Sequence, residues 1–198
     1  MIKNGVFQVV LIAEVLEDAH ILTSTWAMKQ KANGTKRARV NARGFEQIDG
    51  EHYDEDDKAA PVTSDVTIRI VFVLMIMAGW IAHLMDVRGA FPHGLFAPHH
   101  KMHMRIPEGF RLFYPPNIVL LLLKTLYGTK QAALQFWRIL VAAFTDMNYE
   151  RSTADACLYF AWTVNGLTLW LSWVDDCLVV GPEAEVFPAK KMLAKKFE

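Results

Sequence analysis

Cysteine is scarce in this chain. The two present, Cys157 and Cys177, match no metal-ligand spacing in 198 residues, which excludes a disulfide-framework fold and points to a reducing, intracellular setting. Net charge is also lacking: 21 basic residues balance 21 acidic ones, so no global basic signature marks a nucleic-acid binder. The opening Met1-Ile2-Lys3-Asn4-Gly5 does not have the form of a signal peptide. The apolar run Ile70 to Ala82 is too short to cross a bilayer and contains Gly79, which predicts a buried core helix and no membrane partner. Neither Asp-Thr-Gly nor Asp-Ser-Gly occurs, nor Gly-x-Ser-x-Gly, so the signatures of aspartic proteases and serine hydrolases are absent. There is no internal repeat or low-complexity tract.

What is present supports a core: 53% of residues are hydrophobic and 21% charged. The charges are segregated. Lys29, Lys31, Lys36, Arg37, Arg39 and Arg43 run without an acidic neighbour, and Glu46, Asp49, Glu51 and Asp54 to Asp57 follow as an acidic block. Such segregation attracts phosphates at one surface while the total stays near zero, and it equally describes two solvated faces.

Along the chain, Val6 to Ile12 reads as a lead-in strand. Trp26 to Ala32 and Thr35 to Ala42 read as a hairpin around Asn33-Gly34. Its second strand alternates a cationic face with a small apolar one. A strict two-residue turn puts Trp26 and Met28 on the cationic side, so the register stays open between that turn and a longer loop. Ser64 or Asp65 caps a helix from Val66 to about Ala78, with Gly79 as its stop. Ile81 to Val87 follows as a strand. Residues 92–117, with five prolines and a histidine cluster, form an irregular insertion around a strand from Lys101 to Ile106. Ile118 to Leu123 is a buried strand, about Lys130 to Met147 an amphipathic helix, and Cys157 to Val164, Leu167 to Val174 and Cys177 to Val180 a meander. A basic helix closes the chain from Glu183, and its Lys190, Lys191, Lys195 and Lys196 read as a solvated face. The fold class expected is α+β, an antiparallel sheet with helices packed on one face.

Two carboxylates, Asp175 and Asp176, stand at a turn between apolar strands, and Asp86 ends another apolar strand about 90 residues earlier. Carboxylates beside a core need neutralising. A hard divalent cation serves this role and, bound through carboxylates, performs phosphate chemistry. Asp86 meets the Asp175-Asp176 turn only if its strand lies beside the 167–180 hairpin, the arrangement of a polymerase palm. His93, His99, His100 and His103 lack neighbouring cysteines and regular ligand spacing, so they read as a solvated loop rather than a zinc site. Cys177 reads as a small core residue.

The motifs are specific as a set. Asn4-Gly5-Val6-Phe7, Ala38 to Phe45, His52-Tyr53-Asp54-Glu55 and Ala60-Pro61-Val62 come first. Leu84-Met85-Asp86-Val87-Arg88-Gly89-Ala90-Phe91, Ile106 to Phe110, Leu126-Tyr127-Gly128-Thr129-Lys130-Gln131-Ala132 and Val174-Asp175-Asp176 follow in order. With them the chain resembles the reverse transcriptase domain of copia-type long-terminal-repeat retrotransposon polyproteins. The resemblance implies an RNA-directed DNA polymerase of a transposable element, a nucleotidyltransferase using two Mg²⁺ ions, with Mn²⁺ as a substitute. It implies catalytic and metal-binding roles for Asp86, Asp175 and Asp176, with the Val87 backbone beside the metals. Val87, Arg88, Phe91, Tyr127 and Gly128 are implied to handle the nucleotide, Phe91 by blocking a 2′-hydroxyl. Lys31 or Arg37, with Arg39, would grip the triphosphate. Trp173 and Val174 would support the primer.

The implied organisation is a partial domain: 1–80 mostly fingers-like, 81–182 mostly palm, and 183–198 the start of a further part. The implied partners are an RNA or DNA template with its primer, deoxynucleoside triphosphates, and the integrase and ribonuclease H of the same polyprotein. The setting would be cytoplasmic, in the element's virus-like particle, or nuclear. Trp173 stands where Tyr is usual, Pro92 where an aliphatic residue is common, and Ala133-Leu134 where Pro-Arg is frequent. A catalytically silent remnant that only binds nucleic acid is the competing expectation.

Overall fold

The computed structural model describes residues 5–197; Asn4, which opens the first motif, and Glu198 lie outside the described residues. Among the described residues the fold is mixed α/β with three α-helices. The chain divides into two compact units, one of Met1–Ala59 with Phe91–Gln135 and one of Ala60–Ala90 with Phe136–Glu198.

The first unit holds β1 (Phe7–Leu11), β2 (Ile21–Leu22), β3 (Ser24–Gln30), β4 (Lys36–Ala42), β6 (Met102–Met104) and β7 (Ile118–Leu122). A four-stranded sheet runs in the order β1-β7-β6-β2. Its apolar runs bury Leu22, Met102, Met104, Leu120 and Leu122 in one core with Val6 and Leu126. The β2–β6 pair is parallel, and β2 is too short for any periodicity to reveal. The hairpin of β3 and β4 takes the longer-loop register, pairing Trp26 with Val40, Met28 with Ala38 and Lys29 with Arg37. Lys31 N–H donates to the Thr35 carbonyl at 2.9 Å, and Gly34 adopts φ +79°, the three-residue loop with a left-handed glycine. Trp26 and Met28 therefore share the apolar face, opposite Lys29, Arg37 and Arg39.

The second unit is a five-stranded antiparallel sheet, order β5-β11-β10-β9-β8. Its strands are β5 (Ile81–Asp86), β8 (Glu150–Arg151), β9 (Leu158–Thr163), β10 (Gly166–Trp173) and β11 (Asp176–Gly181). Helix α1 (Asp65–Ala78) starts at Ser64, whose Oγ accepts from Val66 N–H at 3.2 Å, and stops at Gly79 with φ 64°. Asp155 clips that start to the sheet, accepting from Ser64 N–H and Cys157 N–H, each at 2.9 Å.

Helices lie on both faces of this sheet, which corrects the one-face expectation. On one face α1 packs Val71 against Leu169, Leu171 and Val180. On the other, α3 (Glu183–Lys196) sets Phe187 against His83 at 4.8 Å. There too Phe144 of α2 (Ala132–Asp146) meets Tyr159 and Trp170 at 4.3 and 5.3 Å. The signal was in β10, where Thr168 to Ser172 are buried without interruption; a strand covered on both faces loses its alternation. The buried-core expectation for 70–82 also fails. Among α1 residues only Val71 is fully buried, while Val66, Ile76 and Met77 are 64%, 74% and 80% exposed, because one stripe of the helix reaches the sheet and the rest is equally apolar. Of the lysines of α3, Lys191, Lys195 and Lys196 are exposed, Lys196 pairing with Asp146 at 2.9 Å, while Lys190 is half-buried with its Nζ 3.4 Å from His83 Nδ1.

Candidate functional site

In the second unit β11 lies between β5 and β10, and its register sets Asp176 directly opposite Asp86 on one side and Trp173 on the other. A two-residue loop, Val174-Asp175, joins β10 to β11, and Val87 N–H donates to the Asp175 carbonyl at 2.9 Å. The three carboxylates expected from the sequence are thus gathered at one end of adjacent strands. Directly opposed residues on antiparallel strands hold their Cβ atoms about 4.5–5.5 Å apart, and like charges there repel. The Asp176 carboxyl accordingly lies above its ordinary range, raised first by desolvation and then by Asp175 and Asp86. A groove of about 160 Å³ between α1 and the sheet runs past Ile68, Phe72, Leu84 and Trp173 to Asp176.

Val174 adopts φ 55°, a genuine outlier for a β-branched residue that holds the loop in a conformation costing about 1–3 kcal/mol. Behind the loop, the Cys177 thiol is fully buried and burial pushes it up to about 12, which makes it an inert core group. Trp173 is half exposed, and Arg88 is exposed beyond the buried Val87.

Three of the expected nucleotide-handling residues come together in the first unit. The Arg39 guanidinium lies over the Tyr127 ring at 4.5 Å, and Phe91 meets the same ring edge-on at 4.7 Å. Tyr127 is fixed through its backbone, its carbonyl accepting from Ala42 N–H at 2.8 Å. Gly128, with φ +88°, runs so close to Ala42 that a Cβ there would come nearer than 3.0 Å to its carbonyl oxygen, and Gly44 faces the Gly128 carbonyl equally closely. Lys31 and Arg37 lie exposed further along the hairpin.

Sequence reasoning missed what holds these groups. Thr125 Oγ donates to the Phe91 carbonyl at 2.5 Å. Lys130 Nζ donates to Tyr53 Oη at 2.7 Å, and Gln131 Nε2 to the His52 carbonyl at 2.9 Å. The 126–132 motif is therefore in large part a packing device, and such polar supports leave no periodic signal. The solvated-loop reading of the histidines is also corrected. His100 and His103 are buried, and His99 and His100 both approach Asp54 at 3.6 Å, because the turn at 97–100 folds back on the acidic segment.

Residues 4–198 match the family model described as Reverse transcriptase (RNA-dependent DNA polymerase). The chain belongs to the reverse transcriptase family. A Pol polyprotein described as retrovirus-related, from transposon TNT 1-94 of Nicotiana tabacum, is 30% identical over 99% of this chain and 15% of its own length. Polyproteins described in the same way from the Arabidopsis thaliana transposons RE1 and RE2 are 30% and 28% identical, each over 81% of this chain and 11% of their own length. The copia-type retrotransposon resemblance drawn from the motifs holds. The chain thus spans a small part of the relatives it matches, and those relatives are Pol polyproteins. Among the described residues, no helix is long and apolar enough to cross a membrane.

Proposed function

We propose that this reverse transcriptase chain carries the catalytic centre of an RNA-directed DNA polymerase. On this reading the five-stranded sheet acts as palm and the β3–β4 hairpin as fingers. The observation that supports it most is the register that opposes Asp86 to Asp176 with Asp175 at the adjoining loop. Three carboxylates would form an all-oxygen donor set suited to a hard divalent cation, and the Asp176 carboxyl, raised by desolvation and then by Asp175 and Asp86, is a group whose charged form such a cation would favour. Asp86 and Asp175 would hold two Mg²⁺ ions with Asp176 and the Val87 carbonyl in support. Bound there, the ions supply Lewis-acid stabilisation of the attacking and leaving oxygens in nucleotidyl transfer.

The chain's own residues do the rest. Arg39 offers a fixed positive charge to a triphosphate, with Lys31 or Arg37 as further cations of the hairpin. Phe91, held by Tyr127, presents a ring that rejects a 2′-hydroxyl, and Tyr127-Gly128 supports the nascent base pair. Val87 and Arg88 border the triphosphate. Template, primer and deoxynucleoside triphosphates are the substrates of this reading, and further segments of a Pol polyprotein, with integrase and ribonuclease H, its companions.

Primer extension by the Pol protein containing this chain tests the reading. Asp175→Asn should leave the circular dichroism spectrum unchanged. It should cut Mg²⁺-dependent extension by about a thousandfold or more, since a loss of about 4 kcal/mol of transition-state stabilisation corresponds to that factor. Extension near the wild-type rate would dismiss the carboxylate assignment.

A further inference from the structure

A second polar cluster lies in the first unit, in different elements from the three aspartates. A short turn, closed by His100 N–H donating to the Ala97 carbonyl at 2.9 Å, has Pro98 and His99 at its centre. The turn points both histidines at Asp54. His99 Nε2 lies 3.6 Å from Asp54 Oδ2, and His100 Nε2 lies 3.6 Å from Asp54 Oδ1. One donor atom from each of the three residues lies within 4.8 Å of the other two.

These separations exceed a hydrogen bond, which for N–H···O runs to about 3.2 Å. They suit ligands sharing one ion. At metal–ligand distances of about 2.0–2.2 Å, tetrahedral geometry sets ligand atoms about 3.3–3.6 Å apart. The His100 side chain is 5% exposed, and its Nε2 is buried without a hydrogen-bond partner, a state that native proteins rarely leave unanswered. Asp54 stands at the start of a short 3₁₀ turn, yet its carboxylate caps no backbone N–H there. Both groups are turned toward the same point, beside which the His99 and His100 rings lie 4.1 Å apart.

We propose that Asp54, His99 and His100 form a binding site for a borderline divalent transition-metal ion, Zn²⁺ foremost. Two imidazoles and one carboxylate match the donor preference of zinc and its neighbours, whereas Mg²⁺ selects oxygen ligands and retains its waters. Three protein ligands leave a position for water. Bound there, the ion ties the acidic segment around Asp54 to the loop preceding β6, two stretches that the sequence separates by more than 40 residues.

Titration of the 198-residue chain with Co²⁺, read by visible absorption, tests the site. One equivalent should develop ligand-field bands that Zn²⁺ abolishes and excess Mg²⁺ leaves intact. His99 is exposed, so His99→Ala should keep the fold and weaken Co²⁺ binding by at least about tenfold, since even outer-shell partners of metal ligands are worth that much. Asp54→Asn should act in the same direction, and His93→Ala should have no effect. Absence of the bands, bands that persist in both His99→Ala and Asp54→Asn, or displacement by Mg²⁺ would overturn the proposal.

Discussion

Gly128→Ala is the substitution whose consequence the structure defines most closely. At φ +88° an alanine is strained wherever it is placed, at about 1–3 kcal/mol. In addition its Cβ would meet the Ala42 carbonyl oxygen inside 3.0 Å, with the Ala42 carbonyl carbon at 3.3 Å. Backbone, not a yielding side chain, stands in the way. Separation of the two segments would stretch the 2.8 Å hydrogen bond from Ala42 N–H to the Tyr127 carbonyl, worth about 1 kcal/mol. The expected loss is about 2–4 kcal/mol, a shift of the urea midpoint by about 1–2 M at an m-value near 2 kcal/mol/M. Gly34→Ala is the control: φ is +79° there, and nothing lies within 4 Å of the added carbon. Urea unfolding of both variants isolates the close approach from the dihedral penalty. Equal losses in the two would refute the reasoning.

Val174→Gly should raise stability by about 1 kcal/mol, relief of about 1–3 kcal/mol of strain set against the entropy of glycine; a lower thermal midpoint would contradict it. Asp176 carries a raised folded-state value, so its contribution is present below the ordinary carboxyl range and lost as pH rises through that raised value. Without divalent cations, thermal stability should therefore decline from about pH 4 upward. Mg²⁺ should restore it on the neutral side, and Asp176→Asn should remove this part of the slope; identical pH profiles for variant and parent would count against the charge crowding. On the proposed polymerase reading, Phe91→Val should raise ribonucleotide incorporation relative to deoxyribonucleotide by at least about tenfold, or 1.4 kcal/mol, in primer extension. An unchanged ratio returns Phe91 to packing Tyr127.

Local chemistry made much of this fold legible. Ser64 and Gly79 bound α1 because a cap hydroxyl and a left-handed glycine act within a few residues. The convergence of Asp86 with Asp175-Asp176 was readable as a condition, since carboxylates ending apolar strands require company. What could not be read depends on contacts between distant segments. No pattern tells that α1 touches the sheet along one stripe, or that β10 is covered on both sides. Nor does any rule of propensity place a valine at positive φ, as Val174 stands in the loop whose Asp175 carbonyl accepts from Val87 N–H. The histidines were misjudged for a related reason: position along the chain does not show that His100 and His103 are buried, or that Asp54 meets His99 and His100 from more than 40 residues away.

The sheet order has a consequence for how the protein is made. Among the described residues β5 lies at the sheet edge with β11 as its one neighbour, and 90 residues separate Asp86 from Asp176. A ribosome adding 5–20 residues per second exposes the first of these strands for about 5–18 s before the second exists. Throughout that interval an apolar strand waits with both edges open to any passing chain. A ribosome that stalls, or a message cut short, anywhere in that stretch releases a polypeptide holding one acidic residue of the cluster and a sticky ribbon beside it. Such products are expected to be cleared or to clump. A break between the codons for Asp86 and Asp176 thus yields an aggregation-prone product and not a folded sheet lacking one strand.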